Sequence, residues 1–156
     1  ATLLICEIAA QTKQNGDNLL SYLDELYLKY GYFQEHLISI VKKGKKGAEE
    51  ISRMMKNFRE NPYTEIAGQK VVRIEDYQKS ESRDLVNNSI IQIDIPKSNV
   101  LIFYTKDGSK IAIRPSGTEP KIKFYISVNS QTKNCVVAKK NNQEKLKAII
   151  SVLKNN

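Results

Sequence analysis

The chain has 156 residues, 40% hydrophobic and 27% charged, with 25 Lys and Arg against 17 Asp and Glu for a formal net charge of +8. That length suits one domain with a real core, and no apolar run approaches the roughly 18 to 20 residues that span a bilayer. A basic balance leaves nucleic acid, an anionic membrane or anionic small molecules as partner classes. Leu3-Leu4-Ile5-Cys6 is no signal-peptide core, because Glu7 interrupts it and no basic segment precedes it. Cys6 and Cys135 lie far apart without metal-ligand spacing and read as unpaired thiols of a reducing cytoplasm.

Apolar residues at helical spacing predict a helix over 1–14, ended by Gly16. A second helix is predicted over 18–30, with Leu19, Leu20, Leu23, Leu26 and Tyr27 on one face and Gly31 as its stop. Residues 32–41 alternate as a strand. Ile51, Met54, Met55 and Phe58 mark a helix over 48–59 whose methionines are core filler, and Asn61-Pro62 ends it. Val71, Val72 and Ile74 predict a strand over 69–77. The polar stretch 79–88 reads as a loop, 90–95 alternates again, and 100–105 is a strong strand. Asp107-Gly108 then turns the chain into 110–114 as a hairpin. After a punctuated loop, the chain continues as a strand to Asn129, and Asn141-Asn142 is expected to cap a last helix running to Leu153. The order strand, helix, several strands, helix predicts an α+β fold, an antiparallel sheet with two helices on one face.

The stretch 111–125 carries the chemistry. Between two alternating flanks, Arg114-Pro115-Ser116-Gly117-Thr118-Glu119-Pro120 gathers a guanidinium fork, two hydroxyls and an unhindered glycine N–H. Successive N–H groups in such a turn form an anion-binding concavity, and Gly117 lets the backbone approach the anion. On chemistry alone, phosphate binding and an ordinary hairpin turn with incidental polar residues both remain open. On the following strand Ile122, Phe124, Ile126 and Val128 share the face predicted to be buried. Lys121, Lys123, Tyr125 and Ser127 share the other, so Lys123 is either a solvent-facing lysine or a ligand for the anion.

Arg114-Pro115-Ser116-Gly117-Thr118-Glu119-Pro120-Lys121-Ile122-Lys123-Phe124-Tyr125 resembles the phosphate-binding loop in the C-terminal domain of the α-D-phosphohexomutases, the phosphoglucomutase/phosphomannomutase family. The segment from Leu19 to Tyr32 is similar to the stretch that enters that domain. The resemblance implies that Arg114, Ser116, Gly117 and Thr118 hold the phosphate of the sugar that is not reacting, joined by Lys123. It also implies a TATA-binding-protein-like α+β domain over 31–156, preceded at 1–30 by a helical remnant of the third domain and linker. The family's phosphoserine motif, its Mg²⁺-binding Asp-Gly-Asp-x-Asp-Arg loop and its Gly-Glu-x-Ser-Gly sugar loop are not in this sequence, and Asp107-Gly108-Ser109-Lys110 lacks the other carboxylates. No catalytic or metal-ligating residue is therefore assigned. His36, the one histidine, stands outside any nucleophile motif.

Beginning at Ala1 without Met inside a helical run, the chain is expected to be a C-terminal piece, inactive alone. The intact enzyme would be a cytoplasmic isomerase that moves a phosphoryl group between C1 and C6 of a hexose phosphate. Mg²⁺ and a hexose bisphosphate would serve it, and its partners would be the phosphosugar and the enzyme's other domains. A phosphopentomutase of the same type is the alternative within the family. A basic nucleic-acid module is the alternative outside it, resting on Lys42-Lys43-Gly44-Lys45-Lys46. That cluster reads better as a solvated connection, since no recognition-helix, zinc or RNA-binding motif accompanies it.

Overall fold

The computed structural model describes residues 1–42 and 44–154. Its helices are α1 (Thr2–Gln14), α2 (Leu19–Tyr30), α3 (Gly44–Glu60) and α4 (Cys135–Lys154). Its strands are β1 (Tyr32–Val41), β2 (Glu65–Ile66), β3 (Gln69–Asp76), β4 (Glu81–Asp84), β5 (Ser89–Gln92), β6 (Leu101–Thr105), β7 (Lys110–Pro115) and β8 (Lys121–Ser130). The strands pair antiparallel in the order β1-β8-β7-β6-β3-β4-β5, with β2 beside β3. Helix α3 lies against β7 and β8, and α4 against β8 and β1.

Alternation places the core. Ile122, Phe124, Ile126 and Val128 of β8 are fully buried beneath the helices, as are Ile111 and Ile113 of β7 and Leu101 and Phe103 of β6. Ile51, Met55 and Phe58 of α3 and Leu146, Ile149 and Leu153 of α4 close over them, with Phe58 edge-on to Phe124 at 6.1 Å. The opposite face of the sheet carries Phe33, Leu37, Val41 and Tyr125, all exposed. Helix α2 begins at Asn18, whose side-chain oxygen accepts from the Leu20 and Ser21 N–H groups at 3.0 and 3.2 Å, and it stops at Gly31, φ +102°.

Four expectations shift. The presumed loop 79–88 contains β4, a strand of Glu81-Ser82-Arg83-Asp84 paired antiparallel between β3 and β5. The following turn is fixed by the Asp84 carboxylate, which accepts from the Val86 and Asn87 N–H groups at 2.8 and 3.0 Å. The strand expected over 90–95 ends at Gln92, and its Ile90 and Ile91 are exposed because no helix covers that edge. Helix α3 starts at Gly44, ahead of Ala48. Helix α4 starts six residues before Asn141: Asn134 is the cap, accepting from the Val136 and Val137 N–H groups at 2.9 and 3.2 Å. Asn142 is instead a buried helical residue whose amide receives the Ser130 hydroxyl at 2.7 Å and donates to the Tyr32 carbonyl at 2.8 Å. Among the described residues no helix is long and apolar enough to cross a membrane.

Candidate functional site

Strands β7 and β8 run side by side and end together at the loop 116–120. With Ile111 and Ile113 turned into the core, the period of two sends Lys110, Ala112 and Arg114 to the open face. Arg114 and Lys123 are direct cross-strand partners there. Two cations opposite one another repel, so the pair is not a folding device. Arg114 is exposed and, among the described residues, makes no hydrogen bond or ion pair. Lys123 is half-buried.

The loop is pinned at its base and open at its tip. The Ser116 N–H donates to the Lys121 carbonyl at 2.8 Å, the Lys121 N–H to the Glu119 carbonyl at 2.7 Å, and the Lys42 N–H to the Pro120 carbonyl at 2.8 Å. Among the described residues nothing accepts from the Gly117, Thr118 or Glu119 N–H, and the hydroxyls of Ser116 and Thr118 are also without partners. Three successive N–H donors and two hydroxyls at one turn are the kind of donor set that an anion would accept from. Gly117 does not need its freedom for a positive φ. A Cβ on it would meet nothing within 4 Å, so what glycine leaves there is open space before the donors. Glu119, the one carboxylate of the loop, is paired with Lys121, whose hydrogen bond holds that carboxyl below its ordinary range.

On its helix side the loop roofs a cavity of about 500 Å³, floored by Ala48, Ile51, Ser52 and Met55 of α3 and bordered by Asn99. The structure therefore gathers Ser116, Gly117 and Thr118 at the cavity, while Arg114 and Lys123 flank the loop from the open face. Sequence reasoning missed Asn99 and the pair behind it, Arg59 and Asp76. The Arg59 Nε sits 3.2 and 3.1 Å from the two Asp76 oxygens, and its Nη2 donates to Asn99 Oδ1 at 2.7 Å. A signal was present: with Leu101 opposite Ile113, counting back along the hairpin sets residue 99 beside residue 115.

Of the remaining candidates, Asp107 and Lys42 have structural partners. Asp107 closes the β6–β7 turn, accepting from the Thr105 hydroxyl at 2.6 Å, the Ser109 N–H at 3.2 Å and Lys145 Nζ at 2.9 Å. Burial pushes its carboxyl up, but those hydrogen bonds from Thr105, Lys145 and Ser109 prevail and hold it at about 2. Among the described residues no three of His, Cys, Asp or Glu gather in a way that could hold a metal ion. Lys42 pairs with Glu50 at 3.0 Å; Lys43, part of the basic cluster, lies outside the described residues. His36 is exposed on edge strand β1.

Residues 39–134 match the family model described as "Phosphoglucomutase/phosphomannomutase, C-terminal domain". The chain belongs to this family. Similar relatives are phosphoglucomutases of Staphylococcus epidermidis, 39% identical over 126 residues, and of Staphylococcus aureus, 43% identical over 125 residues. These matches take in 81% and 80% of this chain but 23% and 22% of the relatives, so the chain spans about a quarter of their length. Among solved structures, the open form of the Paramecium phosphoglucomutase pp63/parafusin superposes with a TM-score of 0.50 at 17% identity, over 94% of this chain and 24% of that one. That likeness concerns the fold alone. The α+β phosphohexomutase C-terminal domain anticipated from the loop is thus the domain this chain forms.

Proposed function

We propose that this domain holds the distal phosphate of a hexose phosphate for a phosphoglucomutase. Arg114 and Lys123 would supply charge from the open face, and the Ser116 and Thr118 hydroxyls with the Gly117 and Thr118 N–H groups would complete the cradle. One observation carries this reading: every donor at the loop tip is unpaired while the one nearby carboxylate is neutralised by Lys121. Gripping the end of the substrate that does not react contributes orientation rather than bond making. In the intact enzyme the phosphoryl group would pass between C1 and C6 through a phosphoserine and a hexose bisphosphate, with Mg²⁺ balancing charge in transfer. Among the described residues no cluster of His, Cys, Asp or Glu offers a site for that ion, and the reading places its binding and the transfer in the regions of the relatives that this chain does not span.

Relatives at 39–43% identity named phosphoglucomutases favour a glucose phosphate over a mannose or pentose phosphate. The α1–α2 pair fits a remnant of a preceding domain, since Leu3, Leu4, Leu20 and Tyr30 are exposed large apolar residues that further domains would cover. A cytoplasmic location and a phosphosugar rather than a nucleic acid as partner are part of the same proposal.

The test is an amide chemical-shift titration of the 156-residue chain with glucose 6-phosphate. Gly117 and Thr118 should move first, with affinity near the millimolar range, where 1 mM is about −4 kcal/mol. Largest shifts on α4, or none at the loop, would refute the assignment. Movement at Lys42 is expected to accompany the loop, because its N–H is bonded to Pro120.

A further inference from the structure

Glycine is disfavoured in a helix relative to alanine, because it gives up more backbone freedom and packs nothing. Gly47 nonetheless stands in the first turn of α3, buried, with no positive φ to require it. Lys42 is what requires it. A Cβ at position 47 would lie 2.7 Å from the Lys42 carbonyl carbon, 2.7 Å from its Cβ and 2.9 Å from its carbonyl oxygen. Carbon atoms rest at about 3.5–4.0 Å, so Lys42 would have to draw back from α3 by about 1 Å. The atoms met are backbone and the root of a side chain, and no rotamer change relieves the clash.

Lys42 in turn holds the phosphate loop. Its N–H donates to the Pro120 carbonyl at 2.8 Å, one step past the last β1–β8 pair, Val41 with Lys121. Its Nζ pairs with Glu50 Oε2 at 3.0 Å, three residues on from Gly47 along α3, but those side chains are 40% and 42% exposed, and an ion pair in water adds little. The close backbone contact is the stronger restraint. Gly44 and Ala48 of the same helix line the cavity that Gly117, Thr118 and Glu119 roof.

We propose that Gly47 and Lys42 are positioning residues that set where the phosphate loop stands; the inference rests on the phosphate reading above. Helix α3 meets Lys42 through a bare Cα, and Lys42 meets the loop through its N–H. Hydrogen bonds to a phosphate work over about 2.7–3.2 Å, so a loop displaced by about 1 Å presents its donors out of reach. Ligand and contact are then coupled. If the state in which Lys42 has released Pro120 does not bind phosphate, ligand suppresses that opening by the factor 1 + [L]/Kd.

Amide hydrogen exchange in the unaltered 156-residue chain reads this coupling. With glucose 6-phosphate at about ten times its Kd, exchange at the Lys42 N–H should slow about tenfold. The Gly31 N–H, bonded to the Tyr27 carbonyl at the end of α2, should exchange at an unchanged rate. Gly47→Ala should bind glucose 6-phosphate about tenfold more weakly, with the Lys42 and Gly117 amide signals displaced before ligand is added. Should that variant fail to fold, the exchange rates decide. An unchanged Lys42 rate while Gly117 shifts with ligand overturns this inference and leaves the phosphate reading standing. So does a Gly47→Ala chain, folded by circular dichroism, that binds within about twofold of the unaltered chain. If Gly117 does not respond to glucose 6-phosphate in the unaltered chain, both fall.

Discussion

Asp76→Ala is the sharpest perturbation of the scaffold behind the site. The carboxylate accepts Arg59 Nε through both oxygens and the Gln78 N–H at 3.0 Å, with no exposure to solvent. Truncating it strands a guanidinium whose side chain is 11% exposed. Removing one member of a buried pair costs about 3–5 kcal/mol. Arg59 keeps its bond to Asn99 and a little water contact, which sets the expectation at the lower end, about 3 kcal/mol. For a chain of this length that lowers the melting temperature by about 6–12 °C. Asp76→Asn retains the shape and an acceptor and should lose about half as much. Arg59→Met together with Asp76→Leu should recover most of the loss, because the isolated charge is gone. Urea unfolding followed by circular dichroism gives the free energies, and a double-mutant cycle gives the coupling. A melting temperature for Asp76→Ala within about 2 °C of the unaltered chain would refute the reasoning.

Asp107 predicts an acid signature. Its folded pKa of about 2 lies below the ordinary 3.8, so its stabilisation is complete above about pH 4 and is lost as pH falls toward 2. Asp107→Asn should flatten that part of the stability profile, and an unchanged acid limb would contradict it. Asn142→Ala strips partners from the Ser130 hydroxyl and the Tyr32 carbonyl and should cost about 1–3 kcal/mol in urea unfolding. The purified 156-residue chain should show no conversion of glucose 1-phosphate to glucose 6-phosphate in a coupled assay. Turnover that scales with chain concentration through repurification would contradict its assignment as a holding domain.

Much of this fold is legible in the residues because burial follows period. The alternation of β8, the 3.6 period of α3 and the Asp107-Gly108 turn each predict what forms, and Arg114 to Thr118 lie at one turn because the hairpin leaves them there. Polar strand β4 is illegible since Glu81-Ser82-Arg83-Asp84 carries no apolar signal to announce its pairing with β3 and β5. Asn141-Asn142 misleads because a capping residue type also serves inside a helix when tertiary partners satisfy its amide, as Ser130 and Tyr32 do here. The Arg59–Asp76–Asn99 contact joins residues up to 40 positions apart, and no local pattern announces it.

The central claim, that the loop holds substrate phosphate, is tested most directly by kcat/KM of Arg114→Ala in the complete enzyme. A charge-assisted contact of about 1.5–3 kcal/mol predicts a loss of roughly 10- to 150-fold. Arg114→Lys should restore only part, since a point charge lacks the planar fork. A kcat/KM for Arg114→Ala within about twofold of the unaltered enzyme, with the fold intact by circular dichroism, would contradict the account.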